Sequence, residues 1–392
     1  MKIKVIGLVI AMIAGVVWAE GTPVEPNQTR PILPRIKNRD FPSIFQAWNQ
    51  FETLPETDPN SSAARYDLIF AAPEAMGLRW NSEYAGLAEG YTAETLQSAV
   101  QKHNGLLAKN ENLIILAKIR YYDADPNYLP KDHTWFLRDP NGLPLSIGKN
   151  WKLDIKNPDF CEQVARQAKV AVESGVFDGI MLDFWKDTAD YLELIKTIRK
   201  AIGTNPLVLC NSNGLTTPNT APYINGYYAE CTLTTTTDDW QRIADMLLWA
   251  SNNLRKPSIN CLETFYHHSR DDLNLMRAAT TLTMTISDGY CLFSDPNPLT
   301  PNHSQGWYSF WDVKAGKPVA AGKKDDKGCY TRTYERGLVV YNPMGNTPAT
   351  YTFPHLVKSC ATDKTAGEHI VNPCDGDIFL DLPNGLTTVP TN

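Results

Sequence analysis

The sequence predicts an α/β protein, a (β/α)8 TIM barrel with a small C-terminal antiparallel β appendage. From about residue 66, short apolar runs alternate with segments whose apolar residues recur at helical spacing. After about residue 305 the helical period disappears, and strand-like runs separated by turn residues follow. A length of 392 residues suits a barrel that carries a small additional domain. These patterns divide the chain into 1–19, 20–62, 63–304 and 305–392.

The first segment, 1–19, has the pattern of an export signal. Lys2 and Lys4 precede an apolar run that ends in Val17-Trp18-Ala19, which places small residues at positions −3 and −1 of a cleavage site. We expect cleavage after Ala19 and a secreted or periplasmic protein that is not held in a membrane. A membrane anchor is the alternative, although the run is shorter than the roughly 20 residues of a spanning helix.

Residues 20–62 are rich in Pro, Asn, Thr and Ser. Their composition predicts a linker and wrapping segment, with one short helix in "FPSIFQAWNQF". The barrel strands are predicted to follow at 66–73, 112–123, 151–158, 177–185, 206–214, 224–232, 256–265 and 288–295. Helices lie between most of them, and their predicted boundary residues are Thr92, Asn157, Gly203 and Asp238. The runs "CYTRTYERGLVVYNPMG" and "DIFLDLP" predict the strands of the appendage, 305–392.

The eight cysteines are spread along the chain without the close pairs of a metal site. Cys360 and Cys374 flank a turn-rich segment and could form a bridge. The other cysteines of interest fall within predicted strands, where buried free thiols are favoured: Cys210, Cys231, Cys261 and Cys291. The adjacent His267 and His268 point apart in an extended segment, so a surface loop is favoured over a shared metal. We expect neither a metal nor a cofactor.

Two predicted strands repeat one pattern, a glycine followed four residues later by an acid. In "DGIMLD" the pair is Gly179 and Asp183, and in "NGYYAE" it is Gly226 and Glu230. Side chains alternate along a strand, so each glycine shares a face with its acid. The strands are the fourth and sixth of the predicted barrel, and alternate strands build its interior layers together. We therefore expect both carboxylates at matching heights at the carboxyl end of the barrel, where barrel enzymes have their active sites.

Two carboxylates with a gap between them are the machinery of glycoside hydrolysis. One attacks the anomeric carbon or activates a water, and the other protonates the leaving oxygen. Burial and a neighbouring negative charge can supply the raised pKa that such an acid needs. Asp183 and Glu230 are the predicted catalytic pair. Aromatic side chains at strand ends are predicted to stack on sugar rings, namely Trp185, Tyr121, Tyr122 and Tyr266, with Trp307 and Trp311 as further candidates.

Other interpretations of these acids stay open. Asp183 could cap the next helix or pair with Lys118, in a structural role. Glu263 follows an apolar strand and is the first substitute for the second catalytic role. Asp154 either caps the following helix or lies at the substrate, and Asp295 precedes a proline, as turn residues do. Asp154 and Glu263 are both predicted to contact the substrate.

The block "WKLDIKNPDF", followed by a helix and "GVFDGIMLDFW", resembles secreted (β/α)8 glycoside hydrolases and hypothetical families related to them. The nearest resemblance is to hypothetical glycosyl hydrolase family 15, with the endo-polygalactosaminidase and alpha-galactosidase families more distant. It covers about 60–350, and "RTYERGLVVYNP" is similar to strands that follow many such barrels. The resemblance implies a nucleophile or base at Asp183 and a general acid at Glu230, where the alpha-galactosidase clan usually has Asp.

The sequence thus predicts a glycoside hydrolase that cleaves O-glycosidic bonds of a poly- or oligosaccharide. A non-catalytic carbohydrate-binding barrel is the alternative, which would keep stacking aromatics without needing either acid. A metal-assisted hydrolase is a third possibility, against which the sparse histidines argue. The expected partner is a carbohydrate; a net charge of −6 without a basic cluster argues against nucleic acid.

Overall fold

The computed structural model describes residues 31–48, 58–295 and 306–382, so the predicted export signal lies outside the described residues. The α-helices are α1 (Ile32–Asn38), α2 (Pro59–Ala63), α3 (Ala93–Lys109), α4 (Pro158–Glu173), α5 (Ala189–Ile202), α6 (Thr237–Asn253) and α7 (Leu273–Ile286). The strands are β1 (Phe45–Ala47), β2 (Leu68–Ala71), β3 (Ile114–Lys118), β4 (Asp123–Ala124), β5 (Ser146–Ile147), β6 (Asn150–Lys152), β7 (Gly179–Leu182), β8 (Leu207–Cys210), β9 (Gly226–Cys231), β10 (Cys261–Phe265), β11 (Tyr290–Ser294), β12 (Lys323–Lys324), β13 (Tyr330–Tyr334), β14 (Gly337–Asn342), β15 (Ala349–Ser359), β16 (Thr365–Val371) and β17 (Asp375–Asp381). Short 3-10 helices occur at Pro73–Met76, Ala85–Leu87, Ala221–Tyr223 and Ser309–Asp312.

Eight parallel strands form the barrel in the order β1-β2-β3-β7-β8-β9-β10-β11. A parallel bridge between Ile44 and Cys291 joins the first strand to the last. The predicted (β/α)8 fold is thereby confirmed. The helices α2 to α7 lie between successive barrel strands, except between β8 and β9, where the helix is a short 3-10 helix. Parallel strands bring their carboxyl ends to one edge, here called the carboxyl rim, which includes the residues directly after each barrel strand, such as Asp183.

Two barrel elements differ from the sequence prediction. The first strand is β1, which lies in the segment expected to be a linker with a short helix, and its three residues are all buried. A run so short shows no strand period, which is why the pattern did not reveal it. The predicted third strand instead contributes β6, which pairs antiparallel with β4 and β5 outside the barrel. Its residues are half-exposed, whereas barrel strands are covered on both faces.

These two differences compensate, so the predicted fourth to eighth strands are the fourth to eighth barrel strands.

The sequence predicted two of the helix boundaries below correctly and placed a third two residues away. Asn157 caps α4, accepting hydrogen bonds from two backbone N–H groups, and Gly203 ends α5 with a φ of +77°. The cap of α6 is Thr236 rather than Asp238, because Thr236 and Asp239 form a reciprocal capping box.

The predicted β appendage is a six-stranded antiparallel sheet in the order β12-β13-β14-β17-β15-β16. It packs against α7, the helix that follows β10. Arg277 on α7 makes two parallel hydrogen bonds of 2.8 Å to Asp375. The Tyr334 hydroxyl donates to the Met284 carbonyl at 2.9 Å. These contacts join the sheet to α7, and an ion pair of 3.1 Å between Arg336 and Asp40 joins it to the segment before β1.

All eight cysteines lie within the described residues and none is bridged, so the Cys360–Cys374 disulfide is not formed. Cys210, Cys261 and Cys291 are buried thiols, as expected of strand cysteines in a barrel. In the described ranges, no group of three or more His, Cys, Asp or Glu side chains is placed to hold a metal ion. Nor does any helix there have the length and apolarity to cross a membrane.

Candidate active site

The two glycines of the repeated pattern are required by close strand contacts. A Cβ atom on Gly179 would lie 2.1 Å from the Leu207 carbonyl oxygen. A Cβ atom on Gly226 would lie 2.5 Å from the Ile259 carbonyl oxygen. Both distances are shorter than any ordinary contact, so a side chain at either position would push the neighbouring backbone away. The two glycines, each four residues before an acid, therefore occupy equivalent positions against the backbone of the next strand in the barrel wall.

The strand register places Asp183 and Glu230 at one height. Leu182 pairs with Cys210 and Cys210 with Tyr227, so Asp183 is in register with the residue two before Glu230. Followed once around the barrel, the register returns to β7 eight residues nearer its amino end. Residues at one height therefore lie about one residue further toward the carboxyl end on each successive strand than the register partner does. This is the stagger expected of an eight-stranded barrel of this kind. Two strands from Asp183, that advance reaches Glu230.

Asn211, directly after β8, joins the two carboxylates. Its Nδ2 donates to Asp183 Oδ1 at 3.2 Å and to Glu230 Oε2 at 3.1 Å. The two oxygens are therefore separated by no more than the combined length of these bonds, about 6.3 Å. Asn211 is buried, so the amide is held in place. The sequence prediction missed this residue because all of 206–214 was assigned to the fifth strand, whereas β8 ends at Cys210. The signal that could have found it is a polar side chain directly after an apolar strand that lies between the two acid-bearing strands.

Asp183 is surrounded by donors. Lys118 Nζ, at the end of β3, lies 3.0 Å from Asp183 Oδ2, and both side chains are largely buried. The backbone N–H of Phe184 donates to Asp183 Oδ1 at 3.1 Å. Phe184 has a φ of +54°, in the left-handed region that few non-glycine residues adopt. The chain thus turns sharply at the acid, which keeps the carboxylate close to Lys118 and Asn211.

An aromatic cluster lies next to Lys118 inside the barrel. The Tyr228 ring centroid is 4.9 Å from that of Phe70 and 6.0 Å from those of Phe45 and Trp48. Lys118 Nζ lies 4.2 Å from the Trp48 ring centroid. A cation held over an aromatic face and against a carboxylate has little freedom to move. The cluster therefore holds Lys118 against Asp183.

Glu263 lies beside Glu230, because the two residues are register partners on β10 and β9. Its side chain is fully buried. The Ser294 hydroxyl donates to Glu263 Oε1 at 2.5 Å, and the Tyr228 hydroxyl donates to Oε2. Burial, followed by the charges of Glu263 and Glu230, raises the pKa of Tyr228 well above its usual value, which keeps the hydroxyl a donor. Glu263 was predicted to contact the substrate; it lies under the site instead, holding Tyr228.

Two predicted stacking residues are buried in the protein. Trp185 and Tyr121 are each 1% exposed, so neither offers a face to a sugar. The Tyr121 hydroxyl donates to the Asp183 backbone carbonyl, and Trp185 Nε1 donates to Thr220 Oγ1 at 3.1 Å. For Trp185 the cause is the left-handed residue Phe184, which breaks the strand alternation after Asp183 and lets the ring turn into the protein. Both rings support the turn that carries the acid.

The other predicted contacts are spread around the rim. Tyr122 is half-buried, with its ring centroid 4.9 Å from that of Phe184 beside Asp183. Tyr266, after β10, is also half-buried and lies against Phe293. Asp154 does not follow a barrel strand; it accepts a backbone hydrogen bond at 3.0 Å in the turn before α4. Asp154 therefore takes part in this turn, which corrects its predicted place at the end of a barrel strand.

The histidines after β10 take part in loop structure. His267 Nε2 lies 2.7 Å from Thr234 Oγ1, which connects the loops after β9 and β10. The backbone N–H groups of His267 and His268 donate to Asp272 Oδ2 at 3.0 and 3.1 Å. Both side chains are exposed and their rings lie 6.3 Å apart, in agreement with a surface loop.

No protein-family model matches the chain, and no curated protein matches it. Many solved structures share its fold. A GH27 β-L-arabinopyranosidase from Geobacillus stearothermophilus is 10% identical with a TM-score of 0.55, over 90% of this chain and 98% of that one. An alpha-amylase from Malbranchea cinnamomea is 11% identical with a TM-score of 0.54, over 90% and 97%. A noncanonic maltogenic alpha-amylase from Thermotoga neapolitana is 14% identical with a TM-score of 0.53, over 87% and 98%.

At these identities the likeness establishes the fold alone. The chain has the (β/α)8 barrel and C-terminal sheet in an arrangement similar to that of glycoside hydrolases. Activity and substrate have to be argued from its own residues.

Proposed function

We propose that this protein is a glycoside hydrolase that cleaves O-glycosidic bonds of a poly- or oligosaccharide, with Asp183 and Glu230 as its catalytic pair. The observation that carries the proposal is the Asn211 amide, which bonds both carboxylates at the carboxyl rim. Structural neighbours named as glycosidases support the reaction class. The proposal extends the resemblance to hypothetical glycosyl hydrolase family 15, and it includes export after cleavage at Ala19.

Asp183 is assigned the role of nucleophile. Every contact named above donates to its carboxylate: a lysine ammonium, a side-chain amide and a backbone N–H. Such contacts stabilise an anion and orient it. The carboxylate would attack the anomeric carbon and form a glycosyl ester as the leaving oxygen departs. Lys118 then balances the charge that Asp183 loses and regains during the cycle.

Glu230 is assigned the role of general acid and base. In the first step its proton passes to the leaving glycosidic oxygen. In the second step the same carboxylate takes a proton from water, whose oxygen attacks the anomeric carbon and releases Asp183. Retaining enzymes hold their carboxyl groups about 5–5.5 Å apart and inverting enzymes about 6.5–9.5 Å apart. The limit of about 6.3 Å between the two bonded oxygens favours retention.

A non-catalytic carbohydrate-binding barrel is the second candidate. The Lys118–Asp183 ion pair favours it, because that pair would also serve a purely structural acid. In that case substitution of Asp183 would leave glycan affinity nearly intact, and the native protein would turn over no substrate.

The test is product release from a broad panel of polysaccharides and aryl glycosides. Native protein is compared with Asp183→Asn and Glu230→Gln, and with Glu193→Gln on the exposed surface of α5 as the matched control. We expect kcat/KM to fall by about 10²–10⁴-fold or more in each catalytic variant, because each substitution removes a group that acts directly in the reaction. The control variant should retain the activity of the native protein.

The two roles can be separated by the leaving group. A dinitrophenyl glycoside needs little protonation, so Glu230→Gln should keep far more of its activity on that substrate than on an alkyl glycoside. Asp183→Asn should lose activity on both. Equal losses for Glu230→Gln on the two substrates would contradict its role as the acid, and full activity of both variants would refute the catalytic pair.

A further inference from the structure

A cavity of about 250 Å³ lies between α6 and the C-terminal sheet. Its wall includes Thr237, Trp240, Gln241, Tyr330, Tyr341 and Asn346, and it is here called the tyrosine cavity. Pockets that hold drug-sized ligands measure about 300–1,000 Å³, so this cavity suits a somewhat smaller molecule. Among the described residues that line it there is no carboxylate, and aromatic rings lie beside hydroxyl and amide groups.

The walls of the cavity are fixed by the fold. Asn346 joins two turns of the C-terminal sheet, because its Nδ2 donates to the Lys327 carbonyl at 2.9 Å and to Asn342 Oδ1 at 2.8 Å. Gly345 has a φ of +85° and brings its turn against the start of α6, where a Cβ atom would lie 2.9 Å from Thr237 Oγ1. The cavity is therefore preformed rather than assembled around a ligand.

Two tyrosine hydroxyls in the wall have no protein partner. Tyr341 is 1% exposed, yet its hydroxyl makes no hydrogen bond to any residue that the structure describes. Tyr330 is half-buried, and within the described ranges its hydroxyl is likewise unbonded. Burial raises the pKa of both side chains, which keeps the hydroxyls protonated and able to donate. Buried polar groups are normally paired, so an unbonded hydroxyl on the wall of a cavity points to a ligand.

The cavity also offers an aromatic ring and an amide. The Tyr330 ring packs on Tyr341 with centroids 6.1 Å apart and planes inclined by 27°, which fixes its orientation. Gln241, exposed on α6, uses one N–H for Asp245 Oδ1 at 2.8 Å and keeps its carbonyl oxygen and its second N–H. A sugar has an apolar face of C–H groups and an edge of hydroxyls. These features match an aromatic ring that lies beside an amide and two tyrosine hydroxyls.

The tyrosine cavity lies on the same side of the barrel as the acid pair. A helix that follows a barrel strand begins near the carboxyl rim, and α6 begins at Thr237, seven residues after Glu230. Seven residues span no more than about 25 Å, which limits the distance from the cavity wall to the proposed acid. This distance is short enough for one polysaccharide chain to reach both places.

We propose that the tyrosine cavity is a second carbohydrate-binding site, which holds one sugar unit of a polysaccharide and takes no part in the chemistry. The Tyr330 ring packs against the face of the sugar, while the Tyr341 hydroxyl and the Gln241 amide bond its hydroxyls. The inference rests on the proposed function for the choice of a saccharide that also occupies the acid pair. Two linked contacts raise the affinity for a polymer and leave the cleavage of a small glycoside unchanged.

Binding is measured by affinity electrophoresis through gels that contain soluble starch, dextran, galactan or xylan. We expect at least one of these polysaccharides to retard the native protein. Tyr341→Phe/Gln241→Ala removes a hydroxyl and an amide but keeps the packed rings, and should raise the Kd for that polysaccharide by about 5-fold or more. Asn252→Ala, on the same exposed face of α6 about three turns away, is the control and should leave the Kd unchanged.

Activity distinguishes this site from the acid pair. On a polysaccharide that the protein cleaves, the double variant should have a KM about 5-fold or more above that of the native protein, with kcat unchanged. On an aryl glycoside of the same sugar, which is too small to reach the cavity, the double variant should match the native protein.

The outcomes separate the two proposals. Retardation that the double variant weakens, without cleavage of any substrate, supports the binding site and refutes the hydrolase. Cleavage with Kd and KM unchanged in the double variant overturns the binding site and leaves the hydrolase standing. No retardation by any of the four polysaccharides, or an equal loss of activity on polymer and aryl glycoside, also overturns it. Gln241 is exposed, so Gln241→Ala alone repeats the test if the double variant impairs folding.

Discussion

Asp67 should make the stability of this protein fall as pH rises. It lies just before β2, at the amino end of the barrel, and its Oδ2 accepts the Ile44 N–H at 3.0 Å beside β1. Burial raises the pKa of Asp67 from 3.8 to about 6, against the opposing effects of the Ile44 N–H, Arg39 and Lys314. A carboxyl with a raised pKa binds its proton more tightly in the folded state, so ionisation between about pH 4 and pH 6 costs folding free energy.

The size of the effect follows from the shift. Two pKa units correspond to about 3 kcal/mol of unfolding free energy, present below pH 3.8 and lost as pH rises through about 6. Asp67 also lines a cavity of about 340 Å³. Water in that cavity would screen the charge, and we therefore expect about 1–3 kcal/mol.

The perturbation is Asp67→Asn, which removes the charge and keeps an oxygen for the Ile44 N–H. Urea unfolding of both proteins, followed by tryptophan fluorescence, is measured from pH 4 to pH 8. The variant should match the native protein near pH 4 and exceed its unfolding free energy by about 1–3 kcal/mol at pH 7.5. Asp326→Asn, at an exposed turn, should show no such trend. A difference that is constant with pH, or a variant weakened at pH 7.5 relative to pH 4, would refute the reasoning.

Three further predictions concern the barrel, the domain contact and the site. Gly179→Ala should lower the free energy of unfolding by about 3 kcal/mol or prevent folding, because the barrel wall has no room for the added Cβ atom. Gly105→Ala, at a position on α3 with open space around it, should raise the free energy of unfolding by about 0.5–1 kcal/mol. Thermal unfolding of both variants and the native protein makes the comparison. Arg277→Met leaves Asp375 partly buried without its cation and should cost about 2–3 kcal/mol in the same assay, and unchanged stability would argue against the contact with the C-terminal sheet. Asn211→Ala should lower kcat/KM by about 10-fold or more without a comparable loss of stability, and an equal loss in both would indicate a structural role alone.

The sequence by itself determined the barrel class, most of its strands and the acids on the fourth and sixth strands. These features can be predicted from local patterns: apolar runs, apolar residues at helical spacing, and a glycine four residues before each acid. The glycines are informative because the barrel wall leaves no room for a Cβ atom at Gly179 or Gly226, so a tertiary constraint appears as a residue choice. The height of each acid in the barrel is given by the strand register, and the equal spacing from glycine to acid on the two strands predicts that the heights match.

Only the tertiary structure decided what surrounds the acids. The sequence left the Lys118–Asp183 pair as one alternative, but no local pattern states that Asn211 contacts Asp183 or that Trp48 lies against Lys118. The left-handed residue Phe184 turns Trp185 away from the site, against the alternation that a strand predicts. A three-residue strand such as β1 is likewise too short for periodicity to show, and its parallel pairing with β2 and β11 alone defines it. Sequence patterns report the environment along one element, whereas a site is assembled from the ends of several.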